Sequence, residues 1–302
     1  MIKQKIRNTD KSKVNPVILE VPLKLDINHP ILGEENSNFI KQNIHLLKGS
    51  VGKAIVRTDT MEIVTTVSDD YKVITHKDMF DNVENTLKMS GLEFILYDIN
   101  EGGKNRNRVY ANYLLPSYKF DIDGDEWIPY IQAYSCYDKF LSYGLLTGLY
   151  RIKNESALLM FDRKLLASRR HLRGKLELTE DMVNVKNWID KLGDLRRRIN
   201  DLRVKPLILN IEYENVTVGD IITRYVIVVK KHRKKFEESK LLLKYKEQFG
   251  NNYYSLLIAL MEYCTHVLYD EKKKRPYDRS RKALTQIADS FLGNTWTAGE
   301  IF

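Results

Sequence analysis

Cysteine, proline and glycine are all scarce in this chain of 302 residues, which holds 2 Cys, 7 Pro and 15 Gly. So little Pro and Gly excludes a collagen-like repeat and a low-complexity linker. Two cysteines, Cys136 and Cys264, are too few for a disulfide scaffold. Two buried thiols in a reducing compartment are expected instead. No apolar run approaches the roughly 20 residues that cross a bilayer. Met1 to Lys13 is polar and basic, without the apolar stretch of a secretory signal, so a cytoplasmic location is expected.

Catalytic signatures are missing too. The chain has no Gly-x-x-x-x-Gly-Lys-Ser/Thr phosphate loop and no Gly-x-Ser-x-Gly nucleophile elbow. Its histidines are His29, His45, His76, His171, His232 and His266. None forms a His-x-x-x-His pair or sits at ligand spacing from a cysteine, whereas zinc needs several converging ligands. No metal and no cofactor are expected, and no catalytic residue is nominated. His266, just past Cys264, reads as a helix-terminal or core histidine.

What the chain does have is positive charge, unevenly placed. The formal net charge is +9; residues 151–302 carry 31 Lys and Arg against 20 Asp and Glu, and residues 1–150 carry 18 against 20. The excess gathers in Arg169-Arg170-His171-Leu172-Arg173, Arg196-Arg197-Arg198, Lys230-Lys231-His232-Arg233-Lys234-Lys235 and Lys272-Lys273-Lys274-Arg275. A polyanion bound there would release condensed counterions, which drives association without reading sequence. A solvated helix face explains each run taken alone. Their grouping in one half points to a shared groove. Arg169, Arg170 and Arg173 can share a helix face and are the preferred contact. Arg163, Lys164, Lys230, Lys231, Arg233 and Lys234 complete the candidate set.

The period of the apolar residues changes along the chain. Residues 1–49 read as a basic arm and irregular lead-in, 50–152 as mainly antiparallel strand, and 153–302 as a mainly helical basic region, packed as one integrated unit. Alternation predicts a hairpin from Ala54–Thr58 and Glu62–Val67, strands at 92–100 and 108–115, and a hairpin at 118–134 turning on Asp123-Gly124. A further strand is predicted at 145–152. Thr75 with Asp78 three residues on predicts a capped helix to Ser90, stopped by Gly91. Spacings of three and four predict helices over 179–203, from about 217 to 249, 253–269 and 279–292. The expected fold class is α+β: an antiparallel sheet in the N-terminal half packed with a helical C-terminal half.

Three regions stand out in order: Val67-Ser-Asp-Asp-Tyr-Lys-Val-Ile-Thr-His-Lys-Asp-Met-Phe80; the central Gln132-Ala-Tyr-Ser-Cys-Tyr-Asp-Lys-Phe140 with Gly148–Ser156 and Arg170-His171; and Tyr254-Ser-Leu-Leu-Ile-Ala-Leu-Met-Glu-Tyr-Cys-Thr-His266. Together they resemble the phage- and plasmid-encoded family filed as domain of unknown function 932. Lys139, Lys153 and Met261 depart from the family's usual Gly, Cys and Thr. The resemblance implies a phage or plasmid origin, hence a host cytoplasm. It implies no activity.

Two local groups need weighing. Tyr130, Tyr134 and Tyr137 crowd a predicted sheet just before Arg151 and Lys153. Tyr130 and Tyr134 share strand parity, which suits core packing or, as the functional alternative, stacking of unpaired bases. Asp121, Asp123, Asp125 and Glu126 invite a metal, but calcium spacing is absent and an acidic hairpin tip explains them. The reading that follows is a non-enzymatic nucleic-acid-binding protein, preferring single-stranded DNA, in recombination, annealing or replication. Single strands are preferred because no helix-turn-helix or zinc-finger pattern is present. The alternatives are a metal-dependent nuclease using the acidic tip, or a virion or host-takeover protein binding an acidic partner. Oligomeric state stays open.

Overall fold

The alternating stretches become two antiparallel sheets in the computed structural model, which describes residues 9–11, 18–22, 52–58, 60–61, 63–68, 73–102, 107–137, 143–160, 168–169, 179–207, 230–268 and 277–292. The smaller sheet has the order β1 (Ile18–Pro22), β2 (Lys53–Arg57), β3 (Ile63–Val67). Its own buried cluster is Ile55 and Val67, with Val73 packed against them.

The larger sheet contains β4 (Ile95–Gly102), β5 (Arg108–Leu114), β6 (Phe120–Ile122), β7 (Asp125–Cys136), β8 (Tyr143–Arg151), β9 (Ser156–Met160) and β10 (Ser168–Arg169). Its order is β10-β8-β7-β5-β4, with β6 also pairing β7 and β9 also pairing β8. The β6–β7 turn is the two-residue Asp123-Gly124 connection, with φ of 50° and 78°. Positive φ at both positions matches the strand twist, and Asp and Gly tolerate it best. Asp121 Oδ1 accepts the Gly124 N–H at 2.8 Å and closes the turn.

Helix α1 (His76–Met89) starts where Thr75 and Asp78 cap each other. Thr75 Oγ1 accepts the Asp78 N–H at 3.1 Å, and Asp78 Oδ2 accepts the Thr75 N–H at 2.9 Å. The C-terminal part holds α2 (Thr179–Asp190), α3 (Leu192–Val204), α4 (Lys230–Glu238), α5 (Leu241–Phe249), α6 (Tyr253–Glu262), a π-helical segment Tyr263–Leu268, and α7 (Tyr277–Leu292). The protein is α+β, with antiparallel sheets in its N-terminal and middle parts and helices towards its C-terminus. One buried cluster runs from Met79 through β5, β7 and β8 to Leu292, so sheet and helices share a core. Tyr254 to Met261 are all buried, and all but Ser255 are apolar, as expected of a helix enclosed on every side.

Three expectations need correction. The helix foreseen over 179–203 breaks at Lys191 into α2 and α3. The one foreseen to 249 breaks at Lys240, whose φ is +54°; its start near 217 lies outside the described residues. Strands β1, β9 and β10 were not foreseen: β1 lies in the stretch read as an irregular lead-in, and short apolar runs carry no decisive period. No helix among the described residues is long and apolar enough to cross a membrane.

Candidate nucleic-acid interface

The tyrosines, weighed between a stacking platform and core packing, are core. Tyr130, Tyr134 and Tyr137 are only 2%, 5% and 1% exposed, so no ring face is open to a base. Tyr130 lies across its cross-strand partner Gly148; a Cβ there would come within 2.4 Å of the ring and 2.7 Å of the Leu158 carbonyl oxygen. Tyr134 sits opposite Gly144 in the same register. Its ring is covered by Arg281 of α7, whose guanidinium carbon is 4.8 Å from the Tyr134 centroid and 4.9 Å from that of Tyr110. Tyr137 stacks on His76, with centroids 4.0 Å apart, and its hydroxyl accepts the His76 N–H at 2.9 Å. Burial pushes the Tyr137 phenol well above its ordinary pKa.

A polar chain crosses the sheet beside Tyr134. Arg281 Nε donates to Gln132 Oε1 at 2.6 Å, Gln132 Nε2 to Asn112 Oδ1 at 2.9 Å, and Asn112 Nδ2 to Asp98 Oδ1 at 2.6 Å. Two amides thus join a cation on α7 to a carboxylate on β4. A satisfied chain of this kind fixes how a helix seats on a sheet.

The acidic tip does not converge on a point. Asp121 caps the turn, Glu126 accepts Lys119 Nζ at 2.5 Å, and exposed Asp123 faces Arg203 at 3.4 Å. Asp125 is buried and accepts Arg151 Nε at 2.6 Å and the Tyr254 hydroxyl on the same oxygen. Burial pulls the Arg151 pKa down, but the bond to Asp125 and its charge outweigh that, and the net shift is upward. Burial also raises the Tyr254 phenol, and the Asp125 charge adds to it. No group of three or more His, Cys, Asp and Glu among the described residues could hold a metal ion.

The basic candidates fare unevenly. Arg163, Lys164, Arg170 and Arg173, with the run 272–275, lie outside the described residues. Arg169 pairs with Tyr143 in strand β10, so the helix-face argument for it is corrected. Lys230, Lys231, Arg233 and Lys234 lie on α4 as expected. Lys234 is exposed, 3.8 Å from Glu238, whereas exposed Lys235 and Lys240 make no ion pair with a described residue. On α3 the run 196–198 splits. Arg197 and Arg198 both pair with Asp194, and Arg198 Nη1 also donates to the Leu292 carbonyl at 2.8 Å. Arg196 points outward without a described partner.

Two clusters escaped the sequence reading. In the first, three cations surround the half-buried Phe249 ring: Arg203 at 5.4 Å, Arg151 at 5.6 Å and Lys153 at 6.0 Å from its centroid. Tyr245 and Phe249, one turn apart on α5, present parallel rings, the only local signal that could have found it. In the second, Glu262 accepts the Tyr245 hydroxyl, Lys244 Nζ at 3.1 Å and Asn154 Nδ2 at 3.2 Å. Burial would raise its pKa, but these bonds outweigh it and hold the carboxyl below its usual range. Beside it, His266 Nε2 meets the Asn154 carbonyl at 2.9 Å and Thr265 Oγ1 accepts the Ala157 N–H at 3.3 Å. The π-helical segment is thereby clipped to the β8–β9 turn. This second cluster is a clamp, since Glu262 is already engaged by three donors. The chemistry left to the described cationic surface is electrostatic.

No protein-family model matches this chain, and neither a curated protein nor a solved structure matches it.

Proposed function

We propose that this protein binds nucleic acid without chemically altering it, preferring single-stranded DNA, as a recombination, annealing or replication factor of a phage or plasmid. The observation that carries the reading is the helical pair α4–α5. Residues 230–249 hold 8 Lys and Arg against 3 Asp and Glu, and Lys234, Lys235 and Lys240 stand exposed along it. Exposed lysines of this kind neutralise phosphates and release counterions. Arg196 on α3 extends the same surface chemistry. The preference for single strands rests on the missing helix-turn-helix and zinc-finger patterns, and the phage or plasmid setting on the family resemblance. Contacts run through phosphates; the sheet tyrosines take no part, because Arg281, Gly148 and His76 already occupy their faces. A nuclease built on the acidic tip is not carried by the geometry, since each carboxylate there has its own partner.

The test is charge reversal. Lys235→Glu with Lys240→Glu should weaken binding of a fluorescent oligonucleotide about tenfold or more at low salt, equally for unrelated sequences. Unchanged affinity in a folded double variant sinks this surface. If the wild type ignores oligonucleotides but captures an acidic polypeptide, the partner is a protein instead.

A further inference from the structure

Phe249, Lys153 and Arg203 make a setting that the clamp and the core do not explain. Phe249 ends α5, Lys153 follows β8, and Arg203 lies in the last turn of α3. Three cations within 6.0 Å of one ring centroid repel one another unless an anion offsets them. The anions at hand are insufficient. Asp125 neutralises Arg151 through Nε alone. Arg203 has Asp123 at 3.4 Å, and that carboxylate is 71% exposed at the tip of the β6–β7 turn. Lys153 is exposed and has no described carboxylate in reach.

A second observation points the same way. Arg151 Nη1 and Nη2 are buried and have no hydrogen-bond partner among the described residues. They face the rings of Tyr245 and Phe249, with the guanidinium carbon 5.5 Å and 5.6 Å from the two centroids. A fixed guanidinium whose fork is not spent on carboxylates leaves positive potential directed at Phe249. Arg203 is anchored by its Nη1 bond to the Ile122 carbonyl at 3.1 Å and by the Tyr254 ring at 5.1 Å. It is therefore pre-oriented, and Lys153 is the exposed partner.

We propose that Lys153 and Arg203, seated around Phe249, form a subsite for one backbone phosphate of the bound nucleic acid, and that Asp123 occupies the Arg203 side of it when no ligand is present. The proposal rests on the nucleic-acid reading above and gives it a defined contact. A phosphate oxygen replaces the Asp123 carboxylate at Arg203, and Lys153 closes from the solvent side. Asp123 returns to water, which its exposed position at the turn permits.

The experiment uses the full chain and a fluorescent single-stranded oligonucleotide, titrated with salt. Lys153→Gln should lower affinity several-fold and flatten the log–log salt slope by about 0.7, the share of one phosphate. Arg203→Lys, which keeps the charge, should retain most of the binding, whereas Arg203→Gln should not. Asp123→Asn should raise affinity several-fold, because it removes the competing charge. Asn accepts the left-handed conformation of residue 123, so the turn survives. A purely structural role for Asp123 cannot give that gain. Salt-dependent binding by the wild type with unchanged affinities for Lys153→Gln and Asp123→Asn overturns the subsite and leaves the function standing. No oligonucleotide binding at all overturns both. Pyrophosphate, followed by phosphorus NMR, is the second arm. Lys153-dependent binding of pyrophosphate without oligonucleotide binding would mean a free phosphate ligand and would overturn the proposal as stated.

Discussion

Arg151 Nε donates to Asp125 Oδ2 at 2.6 Å, and both side chains are shut off from solvent. The pair ties the end of β8 to the start of β7, and the Tyr254 hydroxyl on the same oxygen ties both to α6. Breaking one half leaves a buried charge uncompensated. Asp125→Asn should therefore cost about 3 to 5 kcal/mol in urea unfolding. Replacing both partners by apolar residues, Asp125→Leu with Arg151→Met, should recover most of that loss. A double variant no more stable than Asp125→Asn would show that the pair is not the source.

Tyr134→Ala separates core from stacking surface. The ring is buried beneath Arg281, so its removal should cost about 3 kcal/mol or more of folding stability, as for other large aromatics. Oligonucleotide affinity per folded molecule should not change. Normal stability with weakened binding would restore the stacking platform.

Asp289 on α7 supplies a pH dependence. Burial raises its carboxyl pKa to about 6, against about 3.9 for an unfolded Asp. Between those values the folded state holds more protons, so stability falls as pH rises from about 4 to about 6. The group is only half-buried, and solvent screening limits the effect to about 1 kcal/mol. Asp289→Asn should be more stable than wild type at pH 7 and should lose the stability change across that window. Identical pH profiles for the two proteins would contradict it.

Much of this fold was legible because its signals are local. The Thr75–Asp78 box and the Asp123-Gly124 turn each need only neighbouring residues, and both appear where the sequence placed them. The break at Lys240 was not legible, since the apolar spacing runs through it and neither Pro nor Gly stands beside it; at Lys191 the apolar spacing also runs on, and Gly193, two residues further, was the one local signal of a break. The tyrosines show where local reading ends. Parity put Tyr130 and Tyr134 on one face, but their cover comes from Gly148 in the neighbouring strand and Arg281 far along the chain. The Phe249 cluster has the same cause: Lys153, Arg203 and Phe249 meet only once β8, α3 and α5 are packed. Charge asymmetry was visible at once, because it needs no contacts at all.

The most direct test of the account is the salt dependence of wild-type binding to a single-stranded oligonucleotide. Log affinity should fall linearly with log salt, with a slope of about −2 or steeper, about −0.7 for each of three or more phosphates. Binding should also be tighter than to a duplex of the same sequence. No detectable binding at low salt, or a slope near zero, would contradict the central claim and leave the basic helices as a solvated surface.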